Sequence, residues 1–187
     1  MRRVWVGLVI VAGLAVITGV LYHRFWRGRL GMADGPLAHA QSEFTFTVQA
    51  PMAEAFPLFG PEGERAWGGP HWDPHFLYPT PAKDVEGAVF RIHHGHHSAT
   101  WVNTAFDAGA GHAAYVYVIE GKLATRIDVQ LTPLDAATTR VRVMYERTAL
   151  DPSVNSDVTE MSQKDGKMGP EWERDIGEYL KSSDPKR

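Results

Sequence analysis

The chain has 187 residues, 44% of them hydrophobic and 22% charged, with 18 Gly, 12 Pro and no Cys, a composition that excludes collagen, a disordered tail and a disulfide framework. The absence of cysteine also excludes thiol catalysis and thiolate metal sites. Charge is unevenly placed: residues 1–40 carry five Arg against Asp34 alone, and the remainder carries 14 Lys and Arg against 21 Asp and Glu, so there is no basic stripe and no expectation of a nucleic-acid partner.

Residues 4–22 run for 19 positions without a charge. As a helix rising 1.5 Å per residue they would span about 28 Å, close to the hydrocarbon thickness of a bilayer. Arg2 and Arg3 precede this stretch, Arg24, Arg27 and Arg29 follow it, and Trp5, Tyr22, Phe25 and Trp26 stand where aromatic side chains settle at membrane interfaces. The pattern predicts an N-terminal transmembrane anchor over residues 1–22. The rival reading is a signal peptide cleaved after Ala38-His39-Ala40, and the three Arg between Tyr22 and Ala40 argue against it. With arginines balanced on the two flanks, orientation rests on the leading Arg-Arg pair, which favours a single-pass protein of the inner or plasma membrane with its domain on the extracytoplasmic side. Residues 23–42, with Gly28, Gly31, Gly35 and Pro36, read as a flexible linker.

From residue 43 onward there is enough chain for one sizeable core. Phe44, Phe46 and Val48 alternate with polar residues, the period of a half-buried strand. A short helix is expected over residues 52–59, limited by Pro57, and a long structured loop over residues 61–81. Strands follow over 87–94, 99–106, 112–119, 122–132 and 139–147, and their short connections predict antiparallel neighbours. Leu123, Thr125, Ile127, Val129 and Leu131 share one face, and Val141, Val143 and Tyr145 repeat the pattern. The cover for that apolar face is an amphipathic helix with Trp172, Ile176, Tyr179 and Leu180 on its stripe. Gly166, Gly169 and Pro170 require either a kink or two helices, with Pro170 in the first turn of the second. The fold class is therefore α+β, a curved antiparallel sheet covered by helix.

The run Ala50-Pro51-Met52-Ala53-Glu54-Ala55-Phe56, the run Pro61-Glu62-Gly63-Glu64-Arg65-Ala66-Trp67 with His71-Trp72-Asp73-Pro74 after it, the pair Val89-Phe90, the triplet Thr100-Trp101-Val102 and the stretch Val143-Met144-Tyr145-Glu146-Arg147-Thr148-Ala149-Leu150 occur in that order. Together they resemble the START-like (SRPBCC) superfamily, which includes polyketide cyclase and lipid-transfer-like domains and Bet v 1 relatives. The resemblance covers residues 43–182 and leaves 183–187 as a tail. It implies a helix-grip fold, in which the sheet wraps around a long C-terminal helix and leaves an apolar cavity. It also implies a hydrophobic small molecule or lipid as ligand, with no cofactor. The expected cavity measures several hundred Å3, the usual size of such sites. Trp67, Trp72, Phe90, Trp101, Tyr115, Tyr117, Tyr145 and Trp172 are the candidate ligand-binding residues.

The leading expectation is a membrane-anchored, non-catalytic binding domain. An enzyme of the cyclase or hydratase type would need an ionisable side chain aimed into the cavity, and few polar residues stand on the inward faces of the strands. Arg91, Asn103, Arg126 and Arg142 are the candidate polar handles. His93, His94, His96 and His97 flank Gly95 and offer a weak metal-binding or interaction site. Alternation along a strand prevents His93 and His94 from aiming at one ion, so no metal site is assigned. His71 and His75 are four apart, but Pro70 and Pro74 preclude a helix there, which leaves them, with Asp73, as loop residues able to exchange a proton only if brought to a substrate. Oligomeric state is not legible.

Overall fold

The computed structural model describes residues 22, 35–95 and 97–183, and the chain divides into two compact units, Met1–Pro36 and Leu37–Arg187. Apart from Tyr22, the expected membrane anchor lies outside the described residues, and among those residues no helix is long and apolar enough to cross a membrane.

In the second unit the chain forms β1 (His39–Val48), the helical turn α1 (Met52–Ala55), and two 3-10 turns at Phe56–Phe59 and Gly63–Ala66. The strands β2 (His75–Tyr78), β3 (Val89–His94), β4 (His97–Asp107), β5 (His112–Ile119), β6 (Leu123–Pro133) and β7 (Thr139–Ala149) follow. The helices α2 (Asn155–Asp165) and α3 (Gly169–Ser183) close the domain. All seven strands join one antiparallel sheet in the order β1-β7-β6-β5-β4-β3-β2. Each hairpin turn sets its neighbour, and only the closing pair, β1 with β7, is distant in sequence.

Alternation decides which face is covered. Leu123, Thr125, Ile127, Val129 and Leu131 are buried along β6, and Thr139, Val141, Val143, Tyr145, Arg147 and Ala149 along β7. Pro57 interrupts regular helix after α1, so the chain tightens into 3-10 geometry there. Gly166 ends α2 and Pro170 lies in the first turn of α3, giving two helices where the proline and glycines required a break. Ile176 of α3 is fully buried, and Trp172, Tyr179 and Leu180 pack partly buried against the core. Burying Ile176 removes enough apolar surface for about 1.5–3 kcal/mol.

Two expectations need correction. β1 begins at His39, four residues before the alternation becomes visible, because residues 39–42 lie at a half-exposed edge where apolar alternation is not required. The stretch expected to be loop over residues 61–81 contains a 3-10 turn and the edge strand β2, which pairs with β3 through a register shift between Phe76 and Tyr78. Its prolines hid a strand that occupies an edge, where a missing N–H is tolerated.

Candidate functional site

The hollow between sheet and helix is largely filled. Trp172 packs edge-on against Phe44 at 5.3 Å, Phe46 at 6.2 Å and Trp67 at 5.0 Å, and Phe44 stacks on Tyr145 at 6.3 Å. What remains inside is a cavity of about 40 Å3, room for about one water. Among the described residues no cavity of several hundred Å3 lies in that hollow, because large rings project into it from strands, loop and helix alike.

A second space opens outward beside it, a cleft of about 410 Å3 between the 63–71 loop and the start of α3. Glu64, Tyr145 and Trp172 line both spaces and form the partition between them. A groove of about 480 Å3 between β1 and α3, lined by Thr47, Glu173, Arg174 and Lys181 among others, is open to solvent on the far side of that helix and holds no enclosed ionisable group.

The loop that carries Glu64 is heavily tied. The Asp84 carboxylate accepts from the backbone N–H of Glu62 at 2.9 Å and of Gly63 at 3.2 Å, which fixes the 3-10 turn on which Glu64 sits. A Cβ on Gly60 would stand 2.1 Å from Asp84 Oδ2, so only glycine admits that carboxylate. Trp67 Nε1 donates to the Leu58 carbonyl at 2.7 Å, Trp72 Nε1 donates to the Pro61 carbonyl at 2.9 Å, and the Tyr115 hydroxyl donates to the Phe59 carbonyl. Arg65 clamps the outer side by donating to Glu62, Asp73 and the Pro74 carbonyl.

Glu64 is half-buried where it lines both spaces, and among the described residues no donor or cation pairs with its carboxyl. Desolvation first, and the nearby charge of Asp84 second, push its pKa from 4.5 to about 8. Desolvation also raises Asp84, against the two backbone N–H groups that pull it down. Tyr115 and Tyr145 are raised well above the ordinary tyrosine value, again by burial first and by Glu64 second. A carboxyl that holds its proton near neutrality can donate or accept one, which is the property of a general acid or base.

Of the eight candidate residues, Trp72, Trp101, Tyr115, Tyr145 and Trp172 line the inner cavity, and Trp67 lines the cleft with Tyr145 and Trp172. Phe90 and Tyr117 flank Trp101, Phe90 stacked at 5.7 Å and Tyr117 at 4.2 Å, and neither lines either space. The indole N–H of Trp101 is buried without a partner among the described residues. Among the polar handles, Asn103 is buried, donating to the Val85 carbonyl at 3.2 Å, whereas Arg91, Arg126 and Arg142 stand exposed on the outer face.

The inward faces are more polar than the sequence suggested. Arg147 is buried on β7, where it pairs with Asp165 of α2, donates to Thr125 Oγ1 at 3.0 Å and to the Tyr117 hydroxyl, and lies 4.9 Å from the Tyr145 ring centre. Burial pulls its pKa down, and the Asp165 bonds outweigh that, so the net direction is up. Arg147 occupies the next inward position after Val141, Val143 and Tyr145, and that parity was the available signal. Glu64 had none, because loops have no period.

His93 and His97 are exposed on β3 and β4; His97 Nε2 lies 2.8 Å from Lys122 Nζ, and the His93 ring lies 5.8 Å from that of His75. His75 lies 3.0 Å from Asp73, and His112 lies 3.1 Å from Asp128. Among the described residues no group of three or more metal-ligating side chains converges.

No protein-family model matches the sequence, and no curated protein matches it. Solved structures do. The chain is similar to the Zhui aromatase/cyclase from Streptomyces sp. R1128, with a TM-score of 0.59 at 14% identity over 78% of this chain and 96% of that one. It is similar to norcoclaurine synthase from Thalictrum flavum, solved with dopamine and hydroxybenzaldehyde, with a TM-score of 0.56 at 9% identity over 79% and 90%. It is similar to Ara h 8.0201, with a TM-score of 0.54 at 17% identity over 78% and 99%. The chain shares the helix-grip fold of these structures.

Proposed function

We propose that this START-like-fold domain binds a hydrophobic small molecule or lipid, and that the ligand lodges in the outer cleft with its leading group at the Glu64–Tyr145–Trp172 partition. The observation that carries this reading is the partition itself, one half-buried, unpaired carboxyl framed by large rings between an open cleft and a nearly filled hollow. Ligand sites are mostly apolar concavities with a few convergent polar groups, and the cleft has the volume of one. The helix-grip relatives support it, since two of them are named for chemistry on small organic molecules. In this reading residues 4–22 hold the domain at the membrane, so that an apolar ligand crosses little water between bilayer and cleft.

Native mass spectrometry of the full chain tests binding directly. A co-purifying small molecule lost on Trp172→Ala supports the reading. A clean apo mass, with no thermal shift across a panel of lipids and aromatic compounds, overturns it. For the anchor, full-length protein should sediment with membranes at high salt and a form lacking residues 1–36 should not; equal partitioning overturns that part.

Glu64 favours a second reading, an enzyme of the cyclase or hydratase type in which this carboxyl moves the proton. Turnover of a bound compound, abolished by Glu64→Gln while binding persists, would establish it over the non-catalytic one.

A further inference from the structure

The electrostatics of the cleft are one-sided. The ionisable side chains that line it are Glu64, Glu171, Asp175 and His71, with no Lys or Arg among the lining residues. Asp175 is engaged by Arg174, at 3.0 Å from Nε and 2.9 Å from Nη2, while Glu171 is exposed at the rim. At the inner end, the half-buried Glu64 carboxyl has no donor or counter-ion among the described residues. An anionic ligand would be repelled by Glu171 and Asp175, whereas a cation supplies the partner that lets Glu64 ionise.

The rings beside that carboxyl complete the pattern. Trp67 and Trp172 stand 5.0 Å apart at 64°, and both line the cleft. Tyr145 already has the Arg147 guanidinium 4.9 Å from its ring centre, and of the two indoles that line the cleft Trp67 is buried and Trp172 is half-buried, so Trp172 is the ring with surface to offer. Indole is the strongest aromatic partner for a cation, and an ammonium held against an indole and a carboxylate together gains from both.

Resting on the binding reading above, we propose that the ligand is an organic cation, a substituted ammonium with an apolar body, whose charged head sits in the cleft against Glu64 and Trp172, beside Trp67. The apolar body lies along Met168 in the outer cleft, so the head need not enter the inner cavity. Binding converts Glu64 from a protonated acid into a paired carboxylate. The groups that face this change are Asp84, Tyr115 and Tyr145 from the protein side, and His71, Glu171 and Asp175 from the cleft.

The test uses the full chain, titrated by calorimetry and tryptophan fluorescence with phenethyltrimethylammonium, with its uncharged carbon isostere, and with monomeric diheptanoylphosphatidylcholine. The expected result is binding of the free ammonium at least tenfold tighter than the isostere, with release of a proton near pH 7, and loss of both the preference and the proton on Glu64→Gln. Binding of the phosphatidylcholine alone, with the same sensitivity to Glu64→Gln, also supports the proposal and assigns the ammonium to a lipid headgroup. Equal binding of ammonium and isostere, unchanged in Glu64→Gln, overturns the cation proposal and leaves the hydrophobic-ligand reading standing. No binding of any of the three overturns the cation proposal, and the hydrophobic-ligand reading then stands or falls on the co-purified mass.

Discussion

Arg147 and Asp165 meet through two hydrogen bonds, Nε to Oδ2 at 2.7 Å and Nη2 to Oδ1 at 2.9 Å, with their side chains 5% and 8% exposed. The pair ties β7 to α2, the helix that leads into α3 and so into Trp172. Charges this deeply buried are held by geometry, and removing one partner leaves the other uncompensated.

Asp165→Ala should therefore cost about 3–5 kcal/mol, whereas the double replacement Arg147→Met with Asp165→Leu should recover most of that loss. Urea denaturation followed by tryptophan fluorescence measures both. A single-mutant cost within about 1 kcal/mol of zero would show that water reaches and solvates the guanidinium.

The raised pKa of Glu64 has a thermodynamic counterpart. The folded protein keeps a proton up to about pH 8 that the unfolded chain loses near 4.5. The folded state binds more protons in that window, so this group's contribution to stability falls as pH rises from about 5 to 8 and is constant above. Glu64→Gln carries no such group. Its melting temperature relative to the parent should be level near pH 5, rise through pH 6 to 8, and flatten beyond. Paired thermal melts at half-unit steps check this, and a difference independent of pH would mean that solvent screens the carboxyl.

The strands were legible because their faces differ: one side of β6 and β7 meets the core and the other meets water, and alternation records that contrast. The break before α3 was legible because glycine and proline act through backbone geometry, which is local. Glu64 was not. Its burial comes from Asp84 pinning the turn beneath it and from rings on β5, β7 and α3 closing over it, contacts that join residues far apart in sequence. Cavity size was misjudged for a related reason. A count of aromatic residues does not say whether their rings line a space or fill it, and here Phe44, Phe46, Tyr145 and Trp172 fill it.

Two glycines should respond to alanine with opposite signs. A Cβ on Gly68 would lie 2.9 Å from the Glu64 carbonyl oxygen, 3.0 Å from Glu64 Cγ and 3.0 Å from Trp72 Cβ, so Gly68→Ala must displace the loop that presents the carboxyl. It should cost about 1–3 kcal/mol and weaken ligand binding. Gly177 lies within α3, and a Cβ there would meet nothing within 4 Å, so Gly177→Ala should stabilise by about 0.5–1 kcal/mol with binding unchanged. Chemical denaturation and ligand titration of the two variants side by side decide the matter, and a shared sign would contradict the loop geometry.

The two indoles Trp67 and Trp101 are both buried in ring clusters and differ in their N–H groups. Trp67 Nε1 donates to the Leu58 carbonyl at 2.7 Å, and replacing Trp67 by Phe removes that buried bond together with some packing. Trp101 has the closer stacking, at 4.2 Å to Tyr117 and 5.4 Å to Trp72, but its N–H has no partner among the described residues. An unpaired buried donor costs about 1–3 kcal/mol, so Trp101→Phe relieves a penalty as it loses contact area. Trp67→Phe should consequently be the more damaging by at least about 1 kcal/mol, although Trp101 is the less exposed ring. Equilibrium unfolding of both variants measures the difference. Equal costs would mean that the Trp101 indole is satisfied after all, by a water held in the inner cavity against Glu64.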